Sequence, residues 1–181
     1  MNTSLNLQSV LKVLFCATIF CFGIGQVSAA PLNAYWAQGT AASIQSPTNG
    51  VGLNKFGWGA VYTVPSRISG TGTWGHIALP TPVIVNNIRS TLTQVLVQFN
   101  GNAKISQVDV WDGPNRIASQ AVNWTGDHRL FGNWGVITIP NTPAILFGVS
   151  VSFYVSNNCA ARAICPKQTM NVVSVGGDFL D

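Results

Sequence analysis

Apolar residues recur at every second position in long stretches of this sequence, and that period decides most of what the chain can fold into. From Leu146 to Val155, Phe147, Val149, Val151, Phe153 and Val155 share one parity, and Gly148, Ser150, Ser152 and Tyr154 share the other. From Thr93 to Phe99, Val95, Val97 and Phe99 alternate with Gln94, Leu96 and Gln98. From Lys104 to Trp111, Val108 and Val110 oppose Gln107, Asp109 and Trp111. Successive side chains of a strand point to opposite faces, so this period marks strands with one face on a core and one at solvent. Beyond residue 30 nothing sustains the 3.6-residue period of an amphipathic helix.

Turn-forming clusters separate the runs: Ser69-Gly70-Thr71-Gly72, Asn100-Gly101-Asn102, Asp112-Gly113-Pro114-Asn115 and Gly176-Gly177. The Asn100-Gly101-Asn102 cluster lies between two alternating runs, which predicts an antiparallel hairpin closed at that point. Nine or ten strands in this pattern predict an all-β, antiparallel, jelly-roll-like β-sandwich, with an open barrel as the alternative. Thr73 to Ile84 and Asn133 to Ile145 both read W-G-x-I-x-apolar-P followed by T-P-x-I, with one inserted Asn in the second. A fainter copy, Trp58-Gly59-Ala60-Val61, precedes Pro65. The pattern predicts an internal two-fold repeat in which a strand ends at a proline corner, because the missing N–H terminates pairing.

The first thirty residues read as an address. Met1 to Lys12 is polar, Val13 to Gly25 is an apolar run of signal-peptide length, and Val27 and Ala29 supply the small residues of a cleavage site. This divides the chain into a secretory signal peptide, 1–30, and a single β-sandwich domain, 31–181, secreted to the periplasm or the extracellular space, with no stable membrane insertion after cleavage. Two of the four cysteines fall in the leader. The remaining pair, Cys159 and Cys165 in CAARAIC, reads as a disulfide in an exported protein. Asn123-Trp124-Thr125 fits the N-glycosylation pattern of a eukaryotic host.

Charge narrows the function. Only 8% of residues are charged, and every acid is an aspartate: Asp109, Asp112, Asp127, Asp178 and Asp181. A chain without glutamate excludes H-E-x-x-H metalloproteases, and 47% hydrophobic residues exclude disorder. Losing Lys12 with the leader takes nine basic residues to eight; against five acids the mature charge is +3. That scattered charge lacks a nucleic-acid footprint. No cofactor or metal set is legible, since two cysteines without a nearby histidine do not complete a zinc site.

A series of motifs runs along the mature chain: Trp36-Ala37-Gln38-Gly39-Thr40-Ala41, Trp74-Gly75-His76-Ile77, Pro80-Thr81-Pro82-Val83-Ile84-Val85, Val108-Asp109-Val110-Trp111-Asp112-Gly113-Pro114-Asn115-Arg116-Ile117, Gly126-Asp127-His128 and Gly176-Gly177-Asp178-Phe179. In these residues the chain resembles a family of uncharacterised, mostly bacterial domains, from about Tyr35 to Phe179. The resemblance implies a shared fold and leaves function open, since the family has no established activity from which catalytic residues could be carried over.

Candidate site residues follow from parity. If Ile77 and Leu79 face the core, Trp74 and His76 share the opposite face, and Asp109 and Trp111 likewise oppose Val108 and Val110. Outward aromatic rings beside Asp and His resemble a sugar-binding surface, with ring faces to stack on and polar groups for hydroxyls. The bland alternative is that loops bury these rings. Gly126-Asp127-His128 reads as a turn, as a calcium ligand with Asp109 or Asp112, or as part of a site with His76. The leading expectation is a non-catalytic recognition module for a glycan or another extracellular ligand, using Trp74, His76, Asp109, Trp111, Asp127 and His128. The alternatives are a self-assembling cell-envelope protein and an Asp/His hydrolase, which needs an imidazole bonded to an Asp in a cleft.

Overall fold

A computed structural model describes residues 32–45 and 50–180. The expected leader, with Cys16 and Cys21, lies outside them.

Twelve strands follow in chain order: β1 (Leu32–Gln38), β2 (Ser43–Ile44), β3 (Gly52–Phe56), β4 (Gly59–Val64), β5 (Gly72–Ala78), β6 (Ile84–Val85), β7 (Ile88–Arg89), β8 (Thr91–Asp112), β9 (Asn115–His128), β10 (Gly135–Thr138), β11 (Val149–Ser156) and β12 (Gln168–Leu180). Ten of them form one antiparallel network, β2-β5-β11-β8-β12-β4-β3, with β1 on β12 and both β9 and β10 on β8, while β6 and β7 pair separately. The expected all-β antiparallel fold is observed, with twelve strands, ten of them in the main network, against the nine or ten expected.

The long strand β8 makes this network a sandwich. Along one edge it pairs with β12 through Thr91–Gly101 and with β11 through Lys104–Asp112. The sheet therefore forks between Gly101 and Lys104 into a β12–β4–β3 leaf and a β11–β5–β2 leaf. The leaves face each other, for Tyr62 of β4 meets Phe153 of β11 edge to face at 5.6 Å. Gly75 of β5 lies against both rings, where a Cβ would come within 2.4 Å of the Tyr62 hydroxyl and 2.6 Å of Phe153. Tyr62 donates its hydroxyl to the Ser43 carbonyl at 3.2 Å, and burial pushes its phenol pKa up. Phe99, Phe179, Leu92, Ile105 and Met170 are fully buried between the leaves.

Two turn expectations fail. Asn100-Gly101-Asn102 does not close a hairpin but runs straight through β8, and Gly176-Gly177 lies inside β12. These glycines are there for close approach. A Cβ on Gly101 would stand 2.3 Å from the Thr169 carbonyl oxygen, and one on Gly176 would stand 2.5 Å from the Trp36 ring. Asn102 completes the junction by accepting the Thr169 N–H at 2.8 Å. The hairpin at Gly113-Pro114 does form, with Gly113 at φ 55 and Asp112 paired to Asn115.

The two W-G copies are built alike, one in β5 and the other at the start of β10. In each the glycine is buried under an aromatic ring: Gly75 under Tyr62 and Phe153, and Gly135 under Trp124, whose ring a Cβ on Gly135 would meet at 2.6 Å. Ile77 and Leu79 in one copy, and Ile137 and Ile139 in the other, enter the core before the proline. The chain segments that follow meet, since Ile145 donates its N–H to Ser90 and Ser90 to Val83. In the fainter copy the contact differs, with Gly59 pressed on the Val172 carbonyl rather than on a ring.

Cys159 and Cys165 are joined, with Cα atoms 5.8 Å apart. Their loop docks on the segment before β5: Cys165 donates its N–H to the Arg67 carbonyl at 2.8 Å, and Ser66 donates its hydroxyl to the Cys165 carbonyl at 2.7 Å.

Candidate functional site

Register, added to parity, assembles the site on the outer face of the β11–β5–β2 leaf. One cross-strand row runs Ser43, His76, Ser152, Asp109, Ser119 through β2, β5, β11, β8 and β9. The row on one side is Ala78, Ser150, Trp111, Arg116, and the row on the other is Trp74, Tyr154, Gln107, Ala121. Four of the six expected residues, Trp74, His76, Asp109 and Trp111, thus share one face.

A shallow cleft of about 520 Å³ opens beside two of them, His76 and Trp111, and is lined also by Gln45, Gly113, Pro114, Ser150 and Ser152. Both tryptophan rings are partly buried. Trp74 stands edge-on to Tyr154 at 5.4 Å, and the Arg116 guanidinium lies 5.9 Å from the centre of the Trp111 ring.

The polar groups are paired inside this face. His76 Nδ1 and Ser152 Oγ share a hydrogen bond of 2.8 Å, and partial burial lowers the His76 pKa below its ordinary value. Asp109 is buried although it points outward. It accepts the Ser119 hydroxyl at 2.7 Å and the Gln107 amide at 3.0 Å, with Arg116 at 3.6 Å. The hydrolase arrangement is therefore not formed: His76 bonds a serine, and the carboxylate in its row bonds a different serine one strand further on.

The other expected residues lie elsewhere. His128 pairs across from Phe99 on the core-facing side and stacks on that ring at 4.5 Å; its Nδ1 donates to the Asn133 carbonyl at 2.8 Å. Asp127 is held by Arg129 at 2.6 Å, and that charge-assisted hydrogen bond lowers its pKa. His128 and His76 consequently sit on opposite faces of the strand network, and the joint site considered for them is not formed. Asp112 is not merely a turn residue. It accepts the backbone N–H groups of Leu146, Phe147 and Gly148 at 2.8–3.0 Å. Among the described residues no group of three metal-ligating side chains occurs, so Asp109, Asp112 and Asp127 do not gather as calcium ligands.

Gln45, Ser150, Ser152, Tyr154 and Arg116 join the site without having been singled out. The parity of Ser150, Ser152 and Tyr154 was visible, but only tertiary register places β11 between β5 and β8.

A family model matches residues 31–181, described as a family of unknown function, DUF6623. The chain belongs to this family. No curated protein sequence matches it. Solved structures similar in strand arrangement include the C-terminal CBM6 of LamC, a marine laminarinase from Zobellia galactanivorans, at 9% identity over 82% of this chain and 100% of that one, with a TM-score of 0.41. TmCBM61 in complex with β-1,4-galactotriose matches at 15% identity over 81% and 87%, with a TM-score of 0.36. The Bacillus thuringiensis insecticidal crystal protein Cry7Ca1 matches at 12% identity over 82% of this chain and 22% of that one, also at 0.36. At these scores the function of this DUF6623 chain has to be argued from its own site.

Proposed function

We propose that this chain is an exported, non-catalytic recognition domain that binds a neutral glycan in the cleft between His76 and Trp111. The cross-strand row carries this reading: it brings His76 and Ser152 to the floor of a cleft that Trp111 borders on one side, while Trp74 and Tyr154 stand in the row on the other. Its lining is of one chemical kind. Gln45, Ser150 and Ser152 are neutral donors and acceptors, and burial favours the neutral form of His76. The one carboxylate in the row, Asp109, is committed to Ser119, Gln107 and Arg116. A ligand with a weakly polar ring face and uncharged hydroxyls fits such a surface, whereas a phosphate or a carboxylate finds no free cation among the described residues that line the cleft. Export is supported by the leader pattern of residues 1–30 and by the Cys159–Cys165 disulfide. Among the described residues no helix is long and apolar enough to cross a membrane.

A glycan array and polysaccharide pull-downs with wild type, Trp111→Ala and Trp74→Ala test the proposal. Wild type is expected to retain at least one neutral glycan, and each variant to bind it roughly tenfold more weakly, the scale of one lost aromatic contact. Uniform absence of binding by wild type would sink the reading.

A further inference from the structure

The β12–β4–β3 side of the fork carries a second set of aromatic rings that the cleft does not use. Register puts Trp36 of β1, Gly176 of β12, Leu96 of β8 and Val136 of β10 in one cross-strand row. The row faces outward, because its neighbours Val95 and Val97 are in the core. Trp36 lies flat on the sheet: a Cβ on Gly176 would be 2.5–2.7 Å from three atoms of its ring system, as happens only when the ring presents its face. Trp134 meets Trp36 at 5.1 Å and 74°, and Phe131, 90% exposed, meets Trp134 at 5.1 Å and 82°. Leu96 is only 5% exposed although it points outward, so the rings roof it.

Polar pairs flank this row on both sides. One step along, Gln94 donates its amide to the Asp178 carboxylate at 2.5 Å. One step the other way, Ser174 donates its hydroxyl to Gln98 at 2.6 Å. Each step is two residues, about 7 Å along a strand, so the two pairs stand about 14 Å apart with the aromatic rings between them. The indole N–H of Trp134 is buried without an acceptor, an unusual state for a tryptophan at the solvent boundary.

We propose that this face is a second carbohydrate site, in which a neutral sugar stacks on Trp36 and Trp134 and its hydroxyls bond the Gln94–Asp178 and Gln98–Ser174 pairs. The charge pattern selects that ligand. These rows hold no Lys or Arg for a phosphate or an anionic lipid, and their one carboxylate is already bonded. An apolar protein partner would bury the amide, carboxyl and hydroxyl groups without satisfying their remaining hydrogen-bonding capacity, which disfavours it. A polyhydroxylated ring satisfies them through its own donors and acceptors. The face goes beyond the His76–Trp111 cleft and does not depend on it. With both occupied, one chain would hold two stretches of polysaccharide and gain avidity.

The test is a titration of the ¹⁵N-labelled protein with neutral cello-, xylo-, laminari- and galacto-oligosaccharides, reading the tryptophan indole N–H resonances. The expected result is a saturable shift of the Trp36 and Trp134 signals, with a midpoint raised about tenfold by Trp36→Ala and also raised by Gln98→Ala, and unmoved by Trp111→Ala. If Trp36→Ala fails to fold, Gln98→Ala and Trp134→Phe carry the test. Trp36 and Trp134 signals that stay still while Trp74 and Trp111 respond would overturn this site and leave the cleft standing. Stillness of all the indoles would overturn both. Wild-type midpoints in Gln98→Ala and Trp134→Phe would also overturn it, as would concentration-dependent broadening of Trp36 and Trp134 without sugar, which would assign the face to a second copy of the chain.

Discussion

Asp112 and His76 are the two side chains whose ionisation the fold exploits most directly. Burial of Asp112 would raise its pKa, but the N–H groups of Leu146, Phe147 and Gly148, together with the Arg89 charge, outweigh it and hold the carboxyl below its ordinary value. The contribution of Asp112 is therefore present above about pH 4 and is lost as pH falls through the native value. Asp112→Ala should cost about 2 kcal/mol at neutral pH, and denaturant unfolding should show the variant losing less stability than wild type on acidification. His76 works in the same direction for a different reason. Its pKa is lowered in the fold, so the unfolded chain takes up the proton first, and stability falls as pH drops below about 6.5. His76→Gln should remove that component of the stability–pH curve while keeping a neutral side chain beside Ser152. Glycan binding in the cleft should weaken in wild type only at lower pH, where the folded protein's own His76 takes up a proton, and not in the variant.

At the scale of elements, three glycines that the sequence presents as turns are strand glycines set by what lies against them. Gly101→Ala puts a methyl group 2.3 Å from a backbone oxygen that cannot swing away, because β12 is paired along β8 there. The expected loss is about 3 kcal/mol, a fall in Tm of roughly 10 °C by calorimetry. Gly57→Ala, which meets nothing within 4 Å, should stay within about 0.5 kcal/mol of wild type. The Cys159–Cys165 loop is anchored by Ser66 and Arg67 as well as by the disulfide. Replacing both cysteines with serine should cost about 2 kcal/mol and leave the distant cleft intact, so that glycan affinity measured at low temperature is unchanged.

For the whole molecule the fork in β8 is decisive. A single sheet with these strands would expose one long apolar face; dividing at Gly101–Lys104 lets the two leaves bury theirs against each other and turns two polar-aromatic faces outward. Each face then carries tryptophans from strands distant in sequence: Trp74 and Trp111 on one, Trp36 and Trp134 on the other. The two W-G copies contribute one ring to each, as Trp74 and Trp134. A double variant, Trp36→Ala with Trp111→Ala, should lose about the product of the single losses on an insoluble polysaccharide that bridges both faces, whereas on a short soluble oligosaccharide each substitution should weaken only its own site.

Much of this was written locally. Side-chain parity along each run follows from the two-residue repeat of a strand, so the all-β class, the outward placement of Trp74, His76, Asp109 and Trp111, and the Gly113-Pro114 hairpin could be read before any coordinates. The Cys159–Cys165 bond was legible too, because two cysteines closely spaced in a chain with an export-signal pattern read as a disulfide. Partners across strands were beyond that reading. Nothing local says that Ser152 falls between His76 and Asp109, that Asp112 holds the backbone of Leu146–Gly148, or that Asp127 and His128 pair opposite Asn100 and Phe99, in a stretch of β8 apart from the Asp109 row. A strand carries its own alternation but not its neighbour's register, which is chosen by the packing of both leaves at once. For the same reason Gly101, Gly176 and Gly177 looked like turns: a missing side chain marks a place where something comes close, and only the tertiary structure decides whether that is the chain's own bend, another strand or an aromatic ring.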